Sequence, residues 1–176
     1  TLYNLGSLSV SAIAGSGGLL FAGAGVGATA NELGKVGVNV TNSSNFKAGN
    51  AINITALNAP SVKAETGAVS GSMLASGAIT VAEANIGTHI EPEDKENENK
   101  EDNGHLKTFV NITEGNSFTA KSLTAEAKAD AVQNVTMDGI SISASLPMFP
   151  SGAVQANAGS AKAYSDVTVT VGEKRI

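Results

Sequence analysis

Cysteine and tryptophan are absent from this 176-residue chain, and aromatic residues make up only 4% of it. The first absence excludes disulfide staples, thiolate metal sites and cysteine nucleophiles. It also suits a bacterial exported protein, which disulfide formation in the periplasm would otherwise trap. The second removes the large rings that fill round cores. Hydrophobic residues still reach 41%, with 20 glycines beside them, enough for one domain with a sizeable interior. They are mostly alanine, valine and isoleucine, so that interior is expected to be thin and repetitive.

Long apolar runs are missing as well. The best candidate, 12–30, is nearly half glycine, serine and threonine and would make a poor membrane helix. The five Phe and two Tyr residues are scattered and cannot supply the aromatic girdles of an outer-membrane barrel. No membrane span is expected. The chain opens at Thr1 with neither methionine nor a basic region leading into an apolar one, so a piece of a longer protein is expected. A basic excess is lacking too. The formal net charge of −5 arises between Glu91 and Gly104, where seven acids face Lys95 and Lys100. The rest of the chain is neutral, which leaves no electrostatic footprint for nucleic acid.

Repetition is what the chain does have. Val38-Asn39-Val40-Thr41 through Phe46-Lys47-Ala48 returns as Val110-Asn111-Ile112-Thr113 through Phe118-Thr119-Ala120, at a constant offset of 72 residues. A second echo links Leu20 to Ala24, Leu74 to Ala78 and Phe149 to Ala153, at spacings of 54 and then 75 residues. The chain therefore reads as one solenoid segment, residues 1–176. It comprises a partial unit over about 1–35, a full unit over 36–90, an acidic insertion over 91–107 and a second full unit over 108–176.

Within the units the apolar period is two: Val36, Val38, Val40; Ile52, Ile54, Ala56; Val110, Ile112; Ile140, Ile142, Ala144; Val167, Val169, Val171. This is the pattern of half-buried strands. Ala125 through Ala131 alternates small and charged residues strictly, which would spread charge around a helix but separates cleanly on a strand. Gly49-Asn50, Asn58 to Pro60 and Asp138-Gly139 are predicted turns. Short alternating strands with a long imperfect repeat predict an all-β fold, a right-handed parallel β-helix with an acidic loop insertion. A β-sandwich is the alternative, although it does not explain repeats longer than a strand pair. Phe46 and Phe118 are expected at equivalent inward positions, each buried and separated from the other by intervening coils, with Lys47 and Thr119 pointing to solvent.

Motifs for chemistry are weak throughout, and no catalytic, cofactor-binding or metal-ligating residue is assigned. Gly23 through Ala28 matches the permissive dinucleotide fingerprint, but no acid lies about 20 residues on at a strand end. Close backbone packing explains the small residues better. His89 and His105 flank the insertion at a separation that fits no compact metal motif and read as solvated loop-edge residues. The insertion 91–104 has the oxygens calcium prefers without the ordered spacing of a calcium loop, so a self-repelling charged loop is expected, with partner binding as a further possibility. No glycine-framed nucleophile elbow occurs. Paired carboxylates in an aromatic-lined groove, which polysaccharide cleavage needs, are not evident. Sequons begin at Asn39, Asn42, Asn53, Asn111 and Asn134. Four of these arise simply because Asn and Thr alternate with apolar residues on a strand.

The Val-Asn-Val/Ile-Thr strands, each followed by Phe-x-Ala, an alanine-alternating strand and a Ser-Gly-Ala-Val/Ile segment, resemble the repeat region of leukotoxin-type filamentous adhesins, in particular the fusobacterial leukotoxin group. The resemblance spans nearly the whole chain apart from the insertion. It implies a long exoprotein that leaves the cell through a dedicated outer-membrane secretion partner, lies outside the cell or on its surface, and acts in host-cell attachment or injury. A host-cell surface protein or glycan would be its partner. The expected function is thus a non-catalytic structural and binding segment. The alternatives are a polysaccharide-processing β-helix enzyme and, from Val167-Thr168-Val169-Thr170-Val171, an ice-binding solenoid.

Overall fold

The computed structural model describes residues 1–41, 44–87, 104–143 and 151–172. Fourteen β-strands occupy 79% of these residues, and no helix occurs among them. The first coil contains β1 (Leu2–Asn4), β2 (Ser7–Gly17), β3 (Phe21–Glu32), β4 (Lys35–Val40) and β5 (Asn45–Lys47). The second contains β6 (Ala51–Asn58), β7 (Ser61–Ser72), β8 (Ala75–Ile86), β9 (Leu106–Ile112) and β10 (Ser117–Thr119). The third contains β11 (Ser122–Ala129), β12 (Val132–Ser143), β13 (Gly152–Ala163) and β14 (Ser165–Val171).

Each strand hydrogen-bonds to its counterpart in the next coil, always in parallel. Four three-stranded sheets result, centred on β6, β7, β8 and β9, together with the β5–β10 pair. Consecutive strands within a coil never share a sheet. β7 runs out, the chain turns through Met73-Leu74, and β8 returns lying face to face with β7. The fold is a parallel β-solenoid whose coils are two layers thick. Parallel pairing between coils excludes the antiparallel sandwich.

Register fixes the coil length. Asn4 lies beside Asn58, 54 residues on. At Ser70 and Ser141 the step is 71 residues, and at Thr80 and Asn157 it is 77. The steps differ because the second coil carries extra residues between β8 and β9, and the third carries extra residues between β12 and β13. The 72-residue sequence repeat is therefore one coil, seen where Phe46 pairs with Phe118. The 54-residue Gly-Ala echo is the true register, with Ala24 beside Ala78. The 75-residue echo is not, because Gly152 pairs with Ala75 and Ala153 with Ser76. That slip is two residues, so it preserves which side chains face inward.

The core has the expected narrow composition. Where the β7, β8 and β9 sheets meet, Val62, Ala64, Ala82, Ala84, Ile86 and Leu106 are buried. Val36, Val40, Ile54, Ala56, Val110 and Ile112 form a second cluster between the β6 and β9 sheets. Pro60 sits fully buried at the corner between β6 and β7, where its missing N–H costs nothing and its carbonyl accepts from the Val132 amide. Asn58, also fully buried, accepts from the Asn4 amide and donates to the Lys107 carbonyl at this corner.

Several expectations change. Ile140 and Ile142 alternate as predicted but on the outer face, 52% and 61% exposed, because they are in register with outward Val69 and Gly71. Asp138-Gly139 is not a turn but the middle of β12, where Gly139 makes room across the interior for Gln155 and Asn157. Phe46 and Phe118 are not kept apart by intervening coils. They stack directly, ring centroids 5.1 Å apart, and Phe46 is 38% exposed. β9 begins at Leu106, inside the span read as the insertion. Residues 88–103, which hold His89 and nearly all of the acidic stretch, lie outside the described residues, as does Ala144. The Ala125–Ala131 reading holds through Ala129: Ala125 and Ala127 pack on the core while Glu126 and Lys128 are exposed on β11.

Candidate binding groove on the outer face of the β9 sheet

Alternation on the β9 sheet turns Val36, Val38 and Val40 of β4 inward with Leu106, Thr108, Val110 and Ile112 of β9. The intervening residues face out, and parallel register lines them up in rows across the three strands. Lys35, Lys107 and Asp166 form the first row; Gly37, Phe109 and Thr168 the second; Asn39, Asn111 and Thr170 the third. Along each strand these positions repeat every ~6.6 Å, and neighbouring strands lie ~4.8 Å apart.

Phe109 and Gly37 give this grid its relief. A Cβ built on Gly37 would fall 2.0, 2.2 and 2.4 Å from Cζ, Cε1 and Cε2 of Phe109. Three such similar short distances place the tip of the ring flat over the glycine, with its other face turned outward. Any side chain at position 37 would lift the ring. Lys35 Nζ lies 5.3 Å from the ring centroid, within cation–π range. Lys35, Lys107, Thr108, Phe109, Asp166 and Thr168 line an open groove of roughly 350 Å³.

One end of the groove is fixed by side-chain contacts. His105 stacks on Tyr164 at 5.6 Å between centroids, and its Nδ1 lies 2.9 Å from Asp166 Oδ1. Its side chain is 18% exposed, so His105 is a packed corner residue rather than a solvated one. The Asp166 carboxylate is thereby anchored to the neighbouring coil.

The chemistry of the outer surface changes along the same side of the solenoid. On the β8 sheet the outward rows carry Gly23, Gly25 and Gly27 against Gly77, Ile79 and Val81, and then Val154, Ala156 and Ala158. Polar outward residues begin at Thr29 and Glu83, continue through the hydrogen-bonded pair Asn31 and Asn85, and reach the groove. The glycines of the weak dinucleotide fingerprint are thus outward positions of a continuous strand, β3, with no turn into a helix after them.

No site residue was assigned from the sequence, and the groove was missed. Its signal was present in the 72-residue repeat, where otherwise matching strands carry Gly37 in one copy and Phe109 in the other. Among the described residues no group of three or more His, Asp or Glu side chains is placed to hold a metal ion, and no helix there is long and apolar enough to cross a membrane. Compared with known proteins, the chain matches no family model, no curated protein and no solved structure.

Proposed function

We propose that this chain is a non-catalytic structural and binding segment of a large secreted bacterial surface protein of the adhesin or leukotoxin kind, acting outside the cell in attachment to or injury of host cells. The observation that carries the reading is the in-register parallel stacking of its coils. That arrangement makes a stiff shaft from small residues and leaves every second residue of each strand free to vary outward, which is how repeat proteins build extended recognition surfaces. The full-length protein would leave the cell through an outer-membrane partner, and a host-cell surface glycan or protein would be the target.

A polysaccharide-processing enzyme fits less well. Retaining and inverting glycosidases set two carboxyl groups roughly 5 to 9.5 Å apart, and the groove offers Asp166, already held by His105. Ice binding needs stacked threonines, yet among the described residues no strand pairing places threonine beside threonine. Thr168 adjoins Phe109, Thr170 adjoins Asn111 and Thr136 adjoins Glu65. The test is adhesion: beads coated with the purified chain should bind cultured mammalian epithelial cells or leukocytes saturably, above albumin-coated beads. Equal retention of the two bead types would overturn the proposal.

A further inference from the structure

We infer that the groove on the β9 sheet is a saccharide subsite, with Phe109 as the stacking platform for a pyranose ring and Lys35 as the contact for an acidic substituent. The inference rests on the binding role proposed above and names the ligand class for it.

Three observations converge on this ligand. The first is the platform. Phe109 lies flat on Gly37 and offers one ring face outward, and the C–H face of a pyranose covers an aromatic ring of this size. Such a ring held down by a glycine is immobilised before the ligand arrives, which lowers the ordering cost of binding.

The second is the set of hydrogen-bonding groups beside it. Asn39 and Asn111 are neighbours in register, as are Asn4 with Asn58 and Asn31 with Asn85. The latter two pairs bond to each other. Among the described residues Asn39 and Asn111 make no such bond, nor do the Thr168 and Thr170 hydroxyls. Two amides and two hydroxyls therefore stand beside the ring or along one side of it, with donors and acceptors uncommitted. They stand one row of the sheet, ~6.6 Å, from the platform or directly beside it. That mixture of donors and acceptors around an apolar face matches the vicinal hydroxyls of a sugar and matches a lipid or a nucleobase stack poorly.

The third is charge. Among the described residues no carboxylate lies within ion-pair range of Lys35, whose ammonium rests on the Phe109 ring. A cation–π contact at an exposed position is weak, so a ligand carboxylate or sulfate draws the ammonium off the ring as the sugar takes its place. Asp166, anchored by His105, is two strands away from Lys35 with Lys107 between them, so the row keeps a cationic end at Lys35. The site therefore favours an acidic sugar over a neutral one of the same shape.

Saturation-transfer difference NMR and calorimetric titration with hyaluronan tetrasaccharide, trigalacturonate and sialyllactose, against neutral chitotetraose and lactose, test the assignment. Wild-type protein should bind at least one acidic saccharide about tenfold more tightly than its neutral counterpart. Phe109→Ala should weaken every saccharide at least tenfold, whereas Lys35→Gln should abolish the acidic preference by weakening the acidic saccharides selectively. Circular dichroism should be unchanged in both variants; the denaturation midpoint should be unchanged in Lys35→Gln, which is exposed, and should fall modestly in Phe109→Ala, whose half-buried ring packs on Gly37. Thr124→Ala, on the outer face of β11, should bind like wild type. No binding to any of the five saccharides, or equal binding by Phe109→Ala, would overturn the subsite. The two readings fail separately. Cell adhesion that survives in Phe109→Ala leaves the adhesive role standing without this site; saccharide binding without cell adhesion leaves the site standing without that role.

Discussion

The second and third coils enclose the same thin interior between the β7 and β8 sheets, yet fill it differently. In the second coil the inward residues are uniformly small or medium: Ala64, Thr66 and Ala68 of β7 face Ala78, Thr80 and Ala82 of β8. In the third coil the equivalent positions are Val135, Met137 and Gly139 against Gln155, Asn157 and Gly159. Large residues there face glycines. A Cβ on Gly159 would lie 2.5 Å from Met137 Cε, and one on Gly139 would lie 2.9 Å from Asn157 Oδ1 and 3.0 Å from Gln155 Nε2. The sheets run through all the coils, so one coil cannot widen without breaking ladder hydrogen bonds in the next. Spacing is a property of the stack, and a coil adopting a larger residue on one side must surrender volume on the other.

Moving the third coil's solution halfway into the second should break the comparison most visibly. Thr66→Met places a long side chain opposite Ala82 instead of glycine and should cost about 1–3 kcal/mol by overpacking. Ala82→Gly alone should cost about 1 kcal/mol, from strand entropy and a lost methyl. Together they recreate the Met137–Gly159 arrangement, and the double variant should be more stable than the sum of the singles by at least about 1 kcal/mol. Urea denaturation of the four proteins measures this. Simple additivity would show that the sheets separate freely to admit the methionine.

A smaller effect tests the reverse direction. Gly139→Ala lies inside a regular strand, where replacing glycine by alanine ordinarily stabilises by about 0.5–1 kcal/mol. Here the added methyl meets the amides of Asn157 and Gln155. Thr80, 0% exposed, donates to Asn157 Oδ1 at 2.8 Å, so moving that amide strips a buried hydroxyl of its acceptor. The sign should therefore reverse, to a loss of about 1 kcal/mol. A gain in stability would mean that the third-coil amides are free to swing away.

These compensations explain how much of the molecule could be read from its sequence. Alternation reveals parity, and parity made β4, β6, β9, β11, β12 and β14 legible, including the alanine-rich Ser122–Ala129 that composition alone would make a helix. Parity does not say which side is inward when both sides carry apolar residues. On β12 the inward set of Val135, Met137, Gly139 and Ser141 looks no more core-like than outward Ile140 and Ile142, and only register with Val69 and Gly71 decides. Gly139 beside Asp138 has the chemistry of a turn, and its real role, clearing space for two amides on another strand, depends on a neighbour 16 and 18 residues away in sequence, Gln155 and Asn157. The groove was hidden for the same reason. Phe109 and Gly37 belong to different coils, and a repeat long enough to be read as several coils left no cue that they touch.

The smallest quantity to be measured is a coupling, between the rings of the other aromatic contact between coils. Phe46 and Phe118 are nearly parallel, 6° between ring planes, and sit on the short strands that close the coil, where Phe118 packs against the β6–β9 core cluster. With Phe46 38% exposed, each ring gives up only part of the 1.5–3 kcal/mol of full burial. Phe46→Ala and Phe118→Ala should therefore each cost about 1–2 kcal/mol, less than truncation of an enclosed phenylalanine. Because the rings touch, the two losses should not add. The first truncation already removes the stack, so the double variant should fall short of the sum by about 0.5–1 kcal/mol. Lys47→Ala and Thr119→Ala, exposed partners on the same two strands, should each change stability by less than about 0.5 kcal/mol and show no coupling. Additive losses at the phenylalanines, measured by the same urea titrations, would mean that the rings do not stack in solution and that the closing strands of adjacent coils are held by their backbone ladder alone.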